Sequence, residues 1–551
     1  MTSLLNSISI TNFKGFSEAV HLELKPVTLL FGANSAGKSS VLHALQYVRE
    51  ILERNNTNAD HTLQGGSAVD LGGFLNVVNG RDQTKRIEIE VGMVLGDNAI
   101  PELVPEAFEE WHTSDTDVWK FYDLLQGVRK KVDSVTVRLI VGWNERREAP
   151  FVVGYEVGTN GEWCVKVEAS IDGRDTSMRI NSENPIFLSE QSDDDALQWD
   201  LLDWVSVDDL GKTSSDGPNE DTGSETVAPP ESKMASIWGD VIYAVKESGM
   251  ERPGDGLRAW LTGFSGALPK LGQMLFIPAP GATGASNVYI AREFTAFLSW
   301  LTIGPAMLLM EQLRELRYVG PLRTIPPRGL DANLSKNEGA WSDGMAAWQT
   351  LLSGTQRLVN ECSDWMSDPE KLGTGYSVRR LRLQEFDLSS QEPRPIGRVR
   401  SRVVLVDAVG AEYQPQDVGV GISQVLPVVV AAQDASASLV CIEQPELHVH
   451  PAIQVGLGDL FINGVLDHEL TFLLETHSEH LILRLLRRIR EAAEHASDAI
   501  GTKVKPEMVA VYCLSKVDGH IVADLIPVND QGDFDKPWPK GFFEERGAEL
   551  F

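Results

Sequence analysis

The stretch Val27-Thr28-Leu29-Leu30-Phe31-Gly32-Ala33-Asn34-Ser35-Ala36-Gly37-Lys38-Ser39-Ser40 constrains the fold more than any other part of the chain. It reads as an apolar strand, a G-x-x-x-x-G-K-[ST] loop and the start of a helix. The apolar residues Val41, Leu42, Leu45, Val48, Ile51 and Leu52 fall on one face of that helix. Such a turn aims several backbone N–H groups at one point, beside the positive end of the helix dipole. Gly32 and Gly37 let the backbone close around phosphate oxygens without a side chain in the way. Asn34, Ser35, Ala36 and Ser40 complete the loop. Lys38 can reach the β- and γ-phosphates of a nucleotide, and the Ser39 hydroxyl can join a Mg²⁺ shell.

Around this loop there is room for several domains or lobes, since the chain has 551 residues and 42% of them are hydrophobic. Lys and Arg number 49 against 79 Asp and Glu, a net charge of −30. That balance argues against a surface coated in nucleic acid, which needs a positive field, but leaves room for a local basic surface. Cys164, Cys362, Cys441 and Cys513 are far apart, as suits a reduced compartment without a disulfide framework or zinc site. Met1–Ser9 lacks a basic region followed by an apolar one. Phe297–Met310 is apolar apart from Ser299, Thr302 and the Gly304-Pro305 break. It is shorter than the ~20 residues of a spanning helix and reads as buried helix ends. A cytoplasmic protein without membrane contact is expected.

Strands are expected at Ser7–Asn12, Arg86–Leu95, Val135–Trp143, Glu162–Ile171, Val403–Val406, Ser438–Ile442 and Thr471–Thr476. A helix-like piece lies at Trp119–Val132. Residues 208–232 are acidic, rich in Ser, Gly and Pro and nearly devoid of large apolar residues, the composition of a mobile loop. Val509–Leu514 and Ile521–Ile526 flank Asp518-Gly519 as a hairpin, and an aromatic tail begins at Trp538.

A phosphate loop needs a second, acidic element. The continuous apolar run Leu439–Ile442 ends in Glu443-Gln444-Pro445-Glu446, and ligands of α/β sheets bind at such strand ends. Glu443 would hold Mg²⁺. The next strand ends in Thr476-His477-Ser478, where His477 could face a γ-phosphate or the attacking water. Gly419, Gly421 and Ser423 lead into the apolar run Val425–Ala432 and form a second anion-binding helix start, expected to serve another subunit's nucleotide. His448 and His450 have metal-ligand spacing but lack a third ligand, so they read as loop residues.

The order N-F-K-G-F, G-A-N-S-A-G-K-S-S, V-G-V-G-I-S-Q, L-V-C-I-E-Q-P-E-L-H-V-H-P and E-T-H-S-E-H resembles the ABC-type ATPases of the SMC/RecF/OLD group. Y-V-G-P-L-R-T-I-P-P-R and the terminal W-P-K-G-F-F resemble a bacterial branch with an uncharacterised C-terminal domain, similar in plan to the PtuA-type ATPases of Septu and retron anti-phage systems. The resemblance implies an α/β ABC-type P-loop ATPase head, a mixed sheet with flanking helices. Its parts would be residues 1–95, a large α+β insertion at 96–314, the second half of the head at 315–500, and a small C-terminal part at 501–551. It implies ATP and Mg²⁺ as cofactors and a homodimer or higher homo-oligomer. Gly32–Ser40, Glu443 and His477 would come from one subunit, and Gly419, Gly421 and Ser423 from the other. The family usually places a water-activating Glu where this chain has Gln444, whose amide cannot take a proton near pH 7. Either Glu446 is the substitute or turnover is expected to be slow. The segment after His477 is too short for the Toprim nuclease of OLD-type proteins, so a separate effector nuclease is expected. The alternatives are a RecF- or SMC-like DNA-maintenance ATPase and a housekeeping ATPase with a protein partner.

Overall fold

The computed structural model describes residues 4–59, 61–62, 69–96, 100–103, 125–170, 173, 176–181, 184–187, 259–260, 264–275, 285–328, 330, 341–387, 389, 392–494 and 504–538. The acidic segment 208–232, residues 119–124 of the expected helix and the tail after Trp538 lie outside them. The chain forms two compact units, Met1–Leu5 with Gln83–Met310, and Asn6–Asp82 with Glu311–Phe551.

The longer elements are, in chain order, β1 (Leu4–Thr11), β2 (Val20–Glu23), β3 (Val27–Gly32), α1 (Lys38–Arg54), β4 (Ile87–Val94), β5 (Ser134–Asn144), β6 (Ala149–Thr159), β7 (Glu162–Ala169), β8 (Thr176–Ile180) and α2 (Ala285–Arg314). Then come β9 (Arg317–Val319), α3 (Met345–Ser353), α4 (Gln356–Ser367), β10 (Tyr376–Asp387), β11 (Arg394–Asp407), α5 (Val420–Gln433), β12 (Leu439–Glu443), α6 (Pro451–His468), β13 (Thr471–Glu475), α7 (Glu479–Glu494), β14 (Val509–Val517) and β15 (His520–Leu525).

In the first unit β4 to β8 form an antiparallel meander. Its strands bury alternate residues, such as Ile87, Ile89 and Val91, as expected of a sheet with one covered face. The apolar segment Phe297–Met310 is not a pair of helix ends. It belongs to the 30-residue α2, which runs on through Pro305. That helix is long and apolar enough to cross a membrane, yet 72% of the apolar window is buried inside the protein. The Tyr155 hydroxyl donates to the Thr302 carbonyl 2.5 Å away, which ties α2 to β6.

The second unit is built on a six-stranded sheet in the order β9-β12-β13-β3-β14-β15. The first five strands are parallel, so their carboxyl ends share one edge. Every residue of β3, β12 and β13 is buried, as the unbroken apolar runs demand of strands covered on both faces. The Asp518-Gly519 hairpin is present, with φ of 49° and 90° at the turn. Its first strand, β14, lies inside this sheet beside β3. Trp538 packs edge-on against Phe31 of β3, with ring centroids 5.2 Å apart.

The expected strand Val403–Val406 is only the buried end of the 14-residue β11. With β10 it forms a long antiparallel hairpin whose far half is exposed. Sequence reading missed that half because its polar residues carry no apolar alternation.

Candidate nucleotide site

The parallel strands deliver their carboxyl ends to one edge, and the phosphate loop opens there. Gly32 and Gly37 have φ of 143° and 97°. A Cβ on Gly32 would lie 2.2 Å from the Leu514 carbonyl oxygen, so glycine is required both by conformation and by the approach of β14. A Cβ on Gly37 would lie 2.5 Å from Ile521 of β15. Ile521 also fills the space beside Gly15, so one side chain seats both the N-F-K-G-F turn and the phosphate loop. Ala33, Asn34 and Ser35 are exposed on the loop, Ala36 is buried, and Ser40 is half-buried in the first turn of α1.

Lys38 is buried, and its Nζ donates to the carbonyls of Gly32 and Ala33 at 2.9 and 3.0 Å. Burial lowers its pKa, against the pull of Glu475, Glu446 and Glu443. Ser39 Oγ donates to Glu475 Oε2 at 2.6 Å, and Lys38 Nζ lies 3.9 Å from Glu475 Oε1. Burial and the neighbouring Glu443 carboxylate push the Glu475 carboxyl up to about 7, despite the Ser39 hydrogen bond and the Lys38 charge.

Glu443 ends β12 directly beside Glu475 at the end of β13. Its Oε1 accepts from the Tyr318 hydroxyl at 2.6 Å and lies 3.4 Å from His43 Nε2. Lys14 Nζ is 2.5 Å from His43 Nδ1. Burial lowers the His43 pKa, so the ring is neutral. Lys14 donates to Nδ1, which leaves the ring proton on Nε2, facing Glu443. Burial works against the Glu443 charge, but His43, Tyr318 and Lys14 outweigh it and hold the carboxyl below its ordinary value. The Lys14 pKa falls to about 8, chiefly through burial.

Gln444 and Glu446, expected as a water-orienting amide and as a substitute base, lie in the turn after β12. Gln444 sits in the left-handed region at φ 45°. Its N–H donates to the Glu475 carbonyl at 2.8 Å, so the turn is fixed by backbone. Glu446 accepts from Thr476 Oγ1 at 2.8 Å and from the His477 N–H at 2.7 Å. With both oxygens engaged, it positions the half-buried His477. Burial and the Lys38 charge lower the His477 pKa, which keeps its ring neutral.

Gly419 caps α5 and is exposed, and a Cβ there would meet nothing within 4 Å. A Cβ on Gly421 would lie 2.5 Å from the His448 carbonyl, so Gly421 serves packing. Ser423 is fully buried and donates to the Pro415 carbonyl at 2.8 Å. His450 caps α6, its Nδ1 accepting from the Ala452 N–H at 3.2 Å.

Sequence reading missed Lys14, His43, Tyr318, Arg323 and Glu475 as site residues. Arg323 is buried, and its Nη2 donates to the carbonyls of Glu443 and Gln444 at 2.8 and 3.2 Å. Its N–H donates to Gln424 Oε1 of α5 at 3.1 Å. Arg323 thus joins the start of α5 to the turn after β12. Lys14, Tyr318, Arg323 and Glu475 stand in motifs already quoted, but only the sheet shows what they touch.

Two family matches fall on this chain. Residues 4–149 match the family described as "AAA ATPase domain". Residues 327–484 match the one described as "AAA domain, putative AbiEii toxin, Type IV TA system". The chain carries AAA-family ATPase domains. Among solved structures it is similar to the SMC head domain from Thermotoga maritima, at 7% identity and a TM-score of 0.33 over 96% of this chain and 99% of that one. It is similar to the Smc head domain with an extended coiled coil bound to the C-terminal domain of ScpA from Pyrococcus furiosus, at 11% identity and a TM-score of 0.36 over 100% and 98%. A Smc head domain with coiled coil and joint from Pyrococcus yayanosii gives 11% identity and a TM-score of 0.37 over 96% and 98%. No curated protein matches the chain.

Proposed function

We propose that this chain is an ABC-type ATPase that binds ATP and Mg²⁺ at the Gly32–Ser40 loop and hydrolyses ATP slowly. The observation that carries this is the meeting of Lys38, Ser39, Glu443 and His477 at one edge of the parallel sheet. Ser39 and Glu443 would hold Mg²⁺, which supplies charge neutralisation for the phosphates. Lys38 would exchange its loop carbonyls for phosphate oxygens. The glycine φ values leave the loop backbone open for such a ligand. Gln444 orients water without accepting its proton, which is the reason for slow turnover.

The chain acts as a homodimer or higher homo-oligomer in which Gly419 faces the partner's nucleotide; Gly421 and Ser423 shape the turn that presents it. It is cytoplasmic and serves as a sensor or scaffold of an anti-phage complex, controlling a separate effector, in our reading a nuclease. The exposed arginines of the β10–β11 hairpin favour a second reading, contact with nucleic acid, which a RecF- or SMC-like maintenance ATPase would also need.

Phosphate release and sedimentation velocity of the purified chain with ATP and Mg²⁺ test the proposal together. Slow release coupled to ATP-dependent association is expected. A chain that stays monomeric with ATP removes the dimer reading, and one that does not bind ATP removes the whole of it.

A further inference from the structure

We propose that Glu475 is a second carboxylate of the magnesium shell, orienting the Ser39 hydroxyl and accepting hydrogen bonds from metal-bound water. This rests on the ATP·Mg²⁺ reading of the site. Four observations support it.

First, the parallel register sets Glu443 and Glu475 side by side at neighbouring strand ends, both less than 10% exposed. Second, Glu475 touches both functional side chains of the phosphate loop, Ser39 Oγ at 2.6 Å and Lys38 Nζ at 3.9 Å. Third, Glu446 and Gln444 are less suited to this role. Glu446 spends both oxygens on Thr476 and His477, and Gln444 offers only an amide. Fourth, two adjacent buried carboxylates repel each other, even with Lys14 acting on Glu443 and Lys38 beside Glu475. A divalent cation between them reverses that balance. A Ser39 hydroxyl that donates its proton to Glu475 also keeps its lone pairs for the metal.

A carboxylate that merely neutralises Lys38 would matter for folding and for nucleotide binding without metal. A carboxylate of the metal shell matters for the metal. The test is therefore a titration of Mg²⁺ into the full-length chain with a fluorescent ADP, starting in EDTA. ADP is not hydrolysed, so the readout is independent of turnover. For Glu475→Gln we expect the Mg²⁺ concentration of half-maximal tightening to rise at least tenfold, with ADP affinity in EDTA within threefold of wild type. Glu475→Asp, which keeps the charge, should fall between the two. A half-maximal concentration within twofold of wild type in folded Glu475→Gln overturns the inference. So does weakened binding in EDTA with unchanged Mg²⁺ dependence. If Glu475→Gln does not fold, Glu475→Asp decides, and an unshifted Mg²⁺ midpoint there overturns the inference. A wild type that binds ADP with no Mg²⁺ dependence overturns it while leaving nucleotide binding intact. A wild type that binds neither ADP nor ATP removes the reading beneath it, and this inference with it.

Discussion

The edge of the parallel sheet and the far half of the β10–β11 hairpin handle charge in opposite ways. At the sheet edge Lys38, Glu443 and Glu475 are buried, and each is held within hydrogen-bond or ion-pair distance of a named partner. On the hairpin, residues 394–400 are exposed, as is Arg382. Arg379 pairs with Glu412, and Arg400 lies 3.3 Å from Glu385. Between the arginines stand exposed apolar residues, Phe386, Ile396 and Val399. Groups fixed in low dielectric interact strongly and respond to the loss of a single atom. Exposed charges are screened, contribute in small increments and act by number. The first region suits one ligand in one pose. The second places basic residues on the surface of a chain whose net charge is −30, which on the proposed second reading would meet a repetitive polyanion over many registers.

Gly419 is the position most able to break this comparison, because it is exposed yet assigned a single-atom role. Gly419→Glu has open space for its side chain, so folding should be unaffected. It should abolish ATP-driven association and slow phosphate release about a hundredfold, the scale of losing one charge-stabilising contact, while ATP affinity stays within twofold. Normal association in the variant would return Gly419 to the class of graded surface positions.

Next in size is Lys38→Ala. It should weaken ATP binding at least tenfold, about 1.4 kcal/mol, by calorimetry. Unchanged affinity would mean that the buried edge is not where the nucleotide binds.

How much of each region the sequence revealed follows from the same contrast. Gly32–Ser40 and Glu443 were legible because their chemistry lies in contiguous residues, a loop with two glycines or an apolar strand capped by an acid. Tyr318 and Glu475 were not, because their partners are 125 and 436 residues away and are reached only across the sheet register. Ser423 was legible as a helix-start serine but not as a buried one, since its partner, the Pro415 carbonyl, depends on the path of the preceding turn. The hairpin escaped notice because exposed strands need no apolar alternation. The sequence reading places a strand only at Val403–Val406, and the rest of β11 is seen only through its pairing with β10.

A third experiment probes the hairpin. Arg394→Ala with Arg398→Ala should weaken binding of a short duplex about tenfold at moderate salt. It should also lower the slope of log affinity against log salt by about 2, in fluorescence anisotropy. Single substitutions should each give part of the loss. One substitution that carries all of it would show a pinned contact like those at the sheet edge.

The smallest effect concerns Lys14. Its pKa is lowered to about 8 in the folded chain, from an ordinary value of 10.5. Between these values the unfolded chain holds a proton that the folded one has released, so this group makes stability rise with pH from about 8 to 10.5 and flat below 8. Lys14→Met removes the term. The melting-temperature difference, wild type minus variant, should therefore grow from pH 8 to pH 10 in scanning calorimetry. A constant difference would show that Lys14 keeps its ordinary pKa.

The pairing of β3 with β14 has a consequence for biosynthesis. Val27 stands opposite Val509, and Gly32 opposite Leu514, so the strand before the phosphate loop waits for a segment almost 500 residues later before that flank is closed. Ile521, which fills the space beside Gly15 and Gly37, arrives later still. A product cut short before residue 509 would lack the flank of β3 that faces β14. Contacts of such sequence separation also form slowly. The ability to hold a nucleotide thereby depends on residues 509–521 as well as on the loop itself.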